Sequence, residues 1–263
     1  MRSPSLTRVL TLFLFLLLTP ALARAEEALV PFATRPGVTL PVYCMRNPGS
    51  VATLLLISGG TGGMGKLKDG QPTSPNFLVR SREAFAQAGF DVAILGIPSD
   101  QSDLPGGYYR MSEAHMQDLQ SVVRQLKGQS GLPVWLVGTS MGTISATAAA
   151  IALGPEDLAG VVLTSSITDK HKAGAVLQQD LPAIRIPLLV VHHALDSCKF
   201  CVPNEAARIV DKAVNAPLKK FLLAEGGSAG SSDNCGPLAH HGYMGMEQEA
   251  VRLITDWIRH PQP

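Results

Sequence analysis

Apolar residues in this chain gather in short, unbroken runs separated by segments with helical spacing. Ala52–Ser58 and Phe90–Ile97 are nearly continuous apolar stretches, and Pro133–Val137, Leu158–Thr164, Pro187–His193 and Lys219–Ala224 follow the same style. Each is too short for a helix and reads as a strand, the most apolar of them covered on both faces. An earlier β-rich section contains a strand over Val38–Met45. Between the runs, Asn76–Ala88 carries apolar residues at helical spacing (Phe77, Leu78, Phe85), and Met111–Leu126 is amphipathic. Thr143–Leu153 is alanine-rich, Val202–Val214 reads as a helix, and Met246–Arg259 sets Val251, Ile254 and Ile258 on one face. Strand and helix in alternation predict a mainly parallel sheet with right-handed crossovers. Functional groups in such sheets collect on loops beyond the carboxyl ends of the strands.

The N-terminus changes the picture. Arg2 and Arg8 precede an apolar core, Val9–Leu18, and Ala23-Arg24-Ala25 is a small-x-small cleavage site. That is the pattern of an export signal over residues 1–25. The core is short of the roughly 20 residues needed to span a bilayer, and no cysteine follows it to carry a lipid, so no stable membrane anchor is expected. The expected product is an exported protein, periplasmic or secreted, with one α/β domain over residues 26–263. Formal charge is +1 with no basic run, which argues against a nucleic-acid partner. Four cysteines remain, Cys44, Cys198, Cys201 and Cys235. In an oxidising compartment some should pair, and three full connectivities are open.

The chemistry starts at Gly138-Thr139-Ser140-Met141-Gly142, set between an apolar run and a helical stretch. Strand, G-x-S-x-G and helix in that order form a nucleophile elbow. Glycines two before and two after the serine remove the Cβ atoms that would collide in so tight a turn. The Met141 amide then stands at the start of a helix, placed to donate to an oxyanion. Gly226-Gly227-Ser228-Ala229-Gly230 matches the same pattern and also follows an apolar run, but it leads into the turn-rich Ser231-Ser232-Asp233-Asn234. Only Ser140 has its helix.

Asp196 follows the Pro187–His193 strand, and His240-His241-Gly242-Tyr243 ends the long loop after Lys219–Ala224. Serine, then acid, then histidine is the chain order of α/β-hydrolase triads. A serine hydroxyl needs an imidazole to take its proton, and the imidazole needs a carboxylate to fix its tautomer. On these residues the chain resembles the α/β-hydrolase superfamily, in the manner of small exported esterases, dienelactone hydrolases or peptidases. The resemblance implies an eight-stranded, mainly parallel sheet with helices on both faces and little or no lid. It also implies Ser140 after the fifth strand, Asp196 after the seventh, and His241 or His240 after the eighth. His241 is preferred because a histidine followed by glycine and an aromatic recurs in similar hydrolases. Asp169, after the preceding strand, is the alternative acid. His192 and His193 read as strand residues of the interior or a pocket, His115 and His260 as surface residues.

The resemblance places the second oxyanion donor in Gly59-Gly60-Thr61-Gly62, at the Thr61 amide or alternatively at Gly60; Gly59 stands where the family usually has histidine. Gly60 to Lys66 also satisfies G-x-x-x-x-G-K. Leu67 occupies the Ser/Thr position of a phosphate loop, however, and Asp69-Gly70-Gln71-Pro72 cannot start its helix. A Cys198–Cys235 disulfide would tie the acid loop to the histidine loop. Cys198-Lys199-Phe200-Cys201 has two further readings, a redox C-x-x-C or a zinc site shared with Cys235 and a histidine. Cys44 reads as a buried free thiol. Tyr108, Tyr109 and Gly60 are candidates for the substrate pocket. The expected activity is cleavage of a carboxylic ester through an acyl-enzyme, on a small ester or acyl substrate, with no metal or organic cofactor. A peptidase or acyltransferase on the same triad is the alternative, and a non-catalytic binding protein the rival from another class. Oligomeric state is not legible.

Overall fold

The computed structural model describes residues 26–228, 230 and 233–263; the leader expected over residues 1–25 lies outside them. Eight strands form one sheet: β1 (Glu26–Arg35), β2 (Val38–Arg46), β3 (Thr53–Ile57), β4 (Asp91–Leu95), β5 (Val134–Thr139), β6 (Gly160–Thr164), β7 (Leu188–His193) and β8 (Lys219–Ala224). Their spatial order is β1-β2-β4-β3-β5-β6-β7-β8. β1 and β2 form an antiparallel hairpin, β2 joins β4 antiparallel, and every pairing from β4 through β3 to β8 is parallel. The expected eight-stranded, mainly parallel sheet is present, with β1 as a strand the apolar pattern did not announce.

Seven helices cover the sheet: α1 (Phe77–Arg80), α2 (Arg82–Gln87), α3 (Gly107–Arg110), α4 (Glu113–Ser130), α5 (Gly142–Asp157), α6 (Pro203–Lys212) and α7 (Glu247–Arg259). The helix expected over Asn76–Ala88 divides at Ser81, which caps α1 and opens α2. Alternation along the strands assigns their two faces. Leu55, Ile57, Leu136, Val161, Leu163 and Val190 pack with α4, α5 and α6. Leu54, Leu56, Val137, Val162, Leu189 and Val191 pack with α1, α2 and α7. Helices on both sides explain why β3 to β7 are buried at every position. Among the described residues no lid domain interrupts this arrangement. The β6–β7 connection contains only two short 3₁₀ turns, and their Val176 and Leu181 are buried in the core.

Local signals set the helix ends. The Ser112 side chain accepts from the His115 amide at the start of α4, and Gly131 ends that helix at φ 69°. α5 breaks at Gly154 (φ 62°), just before Pro155. One expectation fails here: His115 is fully buried rather than on the surface, because α4 turns it toward Ser145 of α5, with Nε2 and Oγ 3.0 Å apart. His260 is exposed as expected.

Candidate active site

Ser140 follows β5 directly at φ 52°, a left-handed conformation that costs an L-residue roughly 1–2 kcal/mol. The strain is held from both sides. Its amide donates to Thr164 O (3.0 Å), and its carbonyl accepts from the Thr143 amide (2.9 Å) and hydroxyl (2.6 Å). The flanking glycines are required by contact. A Cβ on Gly138 would come 2.7 Å from Gly142 O, and one on Gly142 would come 2.0 Å from Ile57 O. Gly59 is needed for the same reason, since a Cβ there would lie 2.8 Å from the Ser140 Cβ. The Met141 amide is left at the first turn of α5, where helix N–H groups lack intrahelical acceptors.

The candidate acid and base, Asp196 and His241, meet beyond β7 and β8. Asp196 Oδ2 lies 2.9 Å from His241 Nδ1, and its Oδ1 accepts from the Cys198 amide at 2.9 Å. Both side chains are buried. A carboxylate on Nδ1 fixes the tautomer that carries the proton there, leaving Nε2 as a base. His241 Nε2 makes no hydrogen bond, although the ring lines the same cleft as Ser140. Ser165 donates to His241 O at 2.7 Å, and Arg80 donates to Gly242 O at 2.5 Å, so the histidine loop is anchored through its backbone. Tyr243, fully buried, donates to Val191 O at 2.9 Å and packs on Phe77.

The disulfide joins Cys198 to Cys235, binding the acid loop to the histidine loop across 37 residues. The C-x-x-C pair is therefore not closed on itself. Cys201 is a free thiol, fully buried, and burial pushes its pKa well above the ordinary value. Cys198, Cys201 and His241 bring one potential ligand atom each within 4.8 Å of one another. With Cys198 Sγ engaged in the disulfide and His241 Nδ1 on Asp196, the trio does not offer a thiolate set suited to zinc. Cys44 is a buried free thiol in β2, as expected.

The alternatives sort cleanly. His240 stacks on His193, with ring centroids 4.4 Å apart, and the carboxylate bond goes to His241. Asp169 uses its carboxylate on the His171 amide (3.0 Å), within its own loop. His193 donates from Nε2 to Gly226 O (2.9 Å). His192 is fully buried with Nδ1 3.9 Å from Asp196 Oδ2; burial drives it down to about 4, so it is neutral at pH 7.

The cleft beside Ser140 measures about 220 Å³. Its walls include the Gly59–Gly62 turn, Phe77, Pro237 and His241. Of the pocket candidates Gly60 lines it, as does Thr61, the candidate oxyanion donor. Tyr108 and Tyr109 do not: Tyr108 points to solvent (82% exposed), and Tyr109 packs against the His115 ring. Their loop folds into α3, which turns Arg110 inward in their place. Met141 is also outside the lining, its side chain packed near Ile144, Ile167 and Cys201. The G-x-x-x-x-G-K stretch leads into a two-residue β ladder, Leu67–Lys68 with Gln71–Pro72, and not into a helix. Sequence reasoning missed Ser165, Arg80 and Phe77. Ser165 alone left a trace, since it follows β6 at the carboxyl edge where site residues gather.

No model of a known protein family matches the sequence, and no curated protein matches it either. Solved structures do align over most of the chain. A dienelactone hydrolase from Anabaena variabilis superposes with a TM-score of 0.63 at 15% identity, over 91% of this chain and 100% of its own. An esterase of Pyrococcus furiosus gives 0.65 at 12% identity, over 91% and 92%. An acylaminoacyl peptidase of Pyrococcus horikoshii gives 0.58 at 11% identity, over 92% of this chain but 42% of its own. At such identities the likeness speaks for architecture, and the architecture is the α/β-hydrolase fold.

Proposed function

We propose that this α/β-hydrolase fold carries a serine hydrolase that cleaves a small carboxylic ester through an acyl-enzyme. Ser140 Oγ attacks the carbonyl carbon while His241 Nε2 takes its proton. Collapse of the tetrahedral intermediate breaks the C–O bond, and His241 returns the proton to the departing alcohol. Water then attacks the acyl group with His241 as base, releasing the acid and restoring Ser140. Asp196 holds the imidazole, and the Met141 and Thr61 amides receive the oxyanion.

One observation carries the reading: His241 is oriented by Asp196 at 2.9 Å, with its other nitrogen unbonded and its ring in the cleft that Ser140 lines. The bond from Ser140 to Nε2 is the one that substrate must draw in, as catalytic hydrogen bonds often tighten only in the loaded enzyme. The cleft supports a small, uncharged substrate. Among the described residues lining it none is Lys, Arg, Asp or Glu, and about 220 Å³ admits a short acyl or alcohol group. Export belongs to the same reading: the Cys198–Cys235 bond suits an oxidising compartment. No helix among the described residues is long and apolar enough to cross a membrane.

Labelling with a fluorophosphonate probe tests the proposal, alongside turnover of p-nitrophenyl esters of graded acyl length. The parent should label at Ser140 and prefer short acyl chains. An unlabelled parent, or turnover that survives Ser140→Ala, would overturn it.

A further inference from the structure

Arg110 is the largest fully buried side chain in the described molecule, at 0% exposure. A buried guanidinium normally has a carboxylate for company. This one forms no ion pair among the described residues; Asp103 acts on it only through space. Burial lowers its pKa to about 10, which still leaves it a cation at neutral pH. Its bonds go to neutral oxygens: Nη2 donates to Gly60 O at 2.9 Å and to Leu104 O at 3.4 Å, and Nη1 donates to Ser145 Oγ at 3.3 Å.

The first of these bonds bears on chemistry. Gly60 O and Thr61 N belong to one peptide group, the central peptide of the turn closed by Gly62 N to Gly59 O at 3.0 Å. That group is trans, so carbonyl and amide point in opposite directions. With the oxygen drawn toward buried Arg110, the Thr61 N–H is turned the opposite way, and both Gly60 and Thr61 line the cleft beside Ser140. A flip of that peptide would present the carbonyl to an oxyanion instead and would need Thr61 at positive φ, so the turn and the Arg110 bond favour the same sense.

We propose that Arg110 is the positioning residue of the oxyanion site, locking the Gly60–Thr61 peptide with its N–H toward the cleft and polarising it with a buried positive charge. The inference rests on the serine-hydrolase reading above and deepens it. The surrounding bonds run one way. Guanidinium groups only donate, so Ser145 Oγ accepts from Arg110 and gives its own proton to His115 Nε2, 3.0 Å away. That requires a neutral His115, and burial with Arg110 nearby pushes this imidazole down to about 3. In a site shielded from water, a fixed charge behind an amide strengthens that donor where negative charge develops, with no reorganisation during the reaction.

The test compares Arg110→Gln, which keeps a donor group and loses the charge, with Arg110→Lys, which keeps the charge on a single nitrogen and loses the fork. Ester kcat and KM, melting temperature and Ser140→Ala are measured in parallel. Arg110→Gln should lower kcat on the order of 10²-fold with KM within about threefold, and Arg110→Lys should fall less. Fluorophosphonate labelling should slow in the same order. Both variants within twofold of the parent kcat, while Ser140→Ala is dead, would sink the inference and leave the serine reading intact. Activity surviving Ser140→Ala would sink the reading itself. Should the variants not fold, the parent decides by nuclear magnetic resonance: an alkyl boronic acid, bound as a tetrahedral adduct, should shift the Thr61 amide strongly, and an unmoved Thr61 amide refutes the proposal.

Discussion

Two pentapeptides in this chain obey one pattern, Gly138–Gly142 and Gly226–Gly230, and the fold uses them for opposite purposes. In the first, glycines at both ends let strand, serine and helix pass within contact distance, and the serine carries the strained φ of 52°. In the second, positive φ falls on the glycines themselves, Gly226 at φ 117° and Gly227 at φ 67°, where it costs no strain. Ser228 sits exposed in a loop, held by its amide to Met244 O at 2.8 Å. A motif is thus a statement about where strain falls. A serine bearing the strain has its hydroxyl lifted out of the sheet, whereas a serine that follows two unstrained glycines is only a link in a loop.

The sharpest way to break this comparison is to delete each hydroxyl. Ser140→Ala should lower kcat on the order of 10⁴-fold or more, and Ser228→Ala should stay within twofold; peptide mapping of the phosphonylated protein should find the adduct on Ser140 alone. Equal losses would abolish the distinction. Next come the glycines. Gly142→Ala forces a Cβ to 2.0 Å from Ile57 O and should cost about 3 kcal/mol or prevent folding. Gly226→Ala meets nothing within 4 Å and should fold, at a cost of about 1–3 kcal/mol of backbone strain. Urea midpoints compare the two.

The disulfide separates the regions in another way. A Cys198→Ser, Cys235→Ser double variant avoids a stray bond to Cys201 and should lose about 2–4 kcal/mol. Amide exchange should quicken across residues 225–246 and stay unchanged across 134–146. With the histidine loop loosened, kcat should fall roughly ten-fold. The smallest effect concerns acid. His115, behind the elbow helix, and His192, beside Asp196, are held near about 3 and about 4 against 6.5 for a free imidazole. Between those values the unfolded chain binds protons that the folded chain refuses. Stability is therefore full above pH 6.5 and declines as pH falls toward 4, by up to about 1.4 kcal/mol per pH unit for each group. His115→Gln should make that decline shallower, and an unchanged slope would remove His115 from the account.

Much of this was legible before any coordinates. Buried strands declare themselves as unbroken apolar runs, and Ser140, Asp196 and His241 lie on the loops that follow three of them. β1 was hidden because an edge strand with one wet face carries a thin signal; of its ten residues only Phe32 is buried. His115 was misjudged although its spacing from Leu119, Val122 and Leu126 sets it on the inward face of α4. Tyr108, Tyr109 and Arg110 failed for a deeper reason. Three residues after a loop glycine have no period to read, and only the tertiary fold decides that the tyrosines leave and the arginine enters. No compositional rule anticipates a guanidinium in the interior.

The central strands are sealed on both faces while the candidate site hangs from loop tips at one edge of the sheet. Such a plan divides labour, since the packed layers set melting behaviour and the tips set what is recognised. Rebuilding the turn around Pro75–Phe77 or the stretch near Pro237 should therefore retune selectivity as a nearly independent variable, which makes this scaffold a natural host for loop grafting.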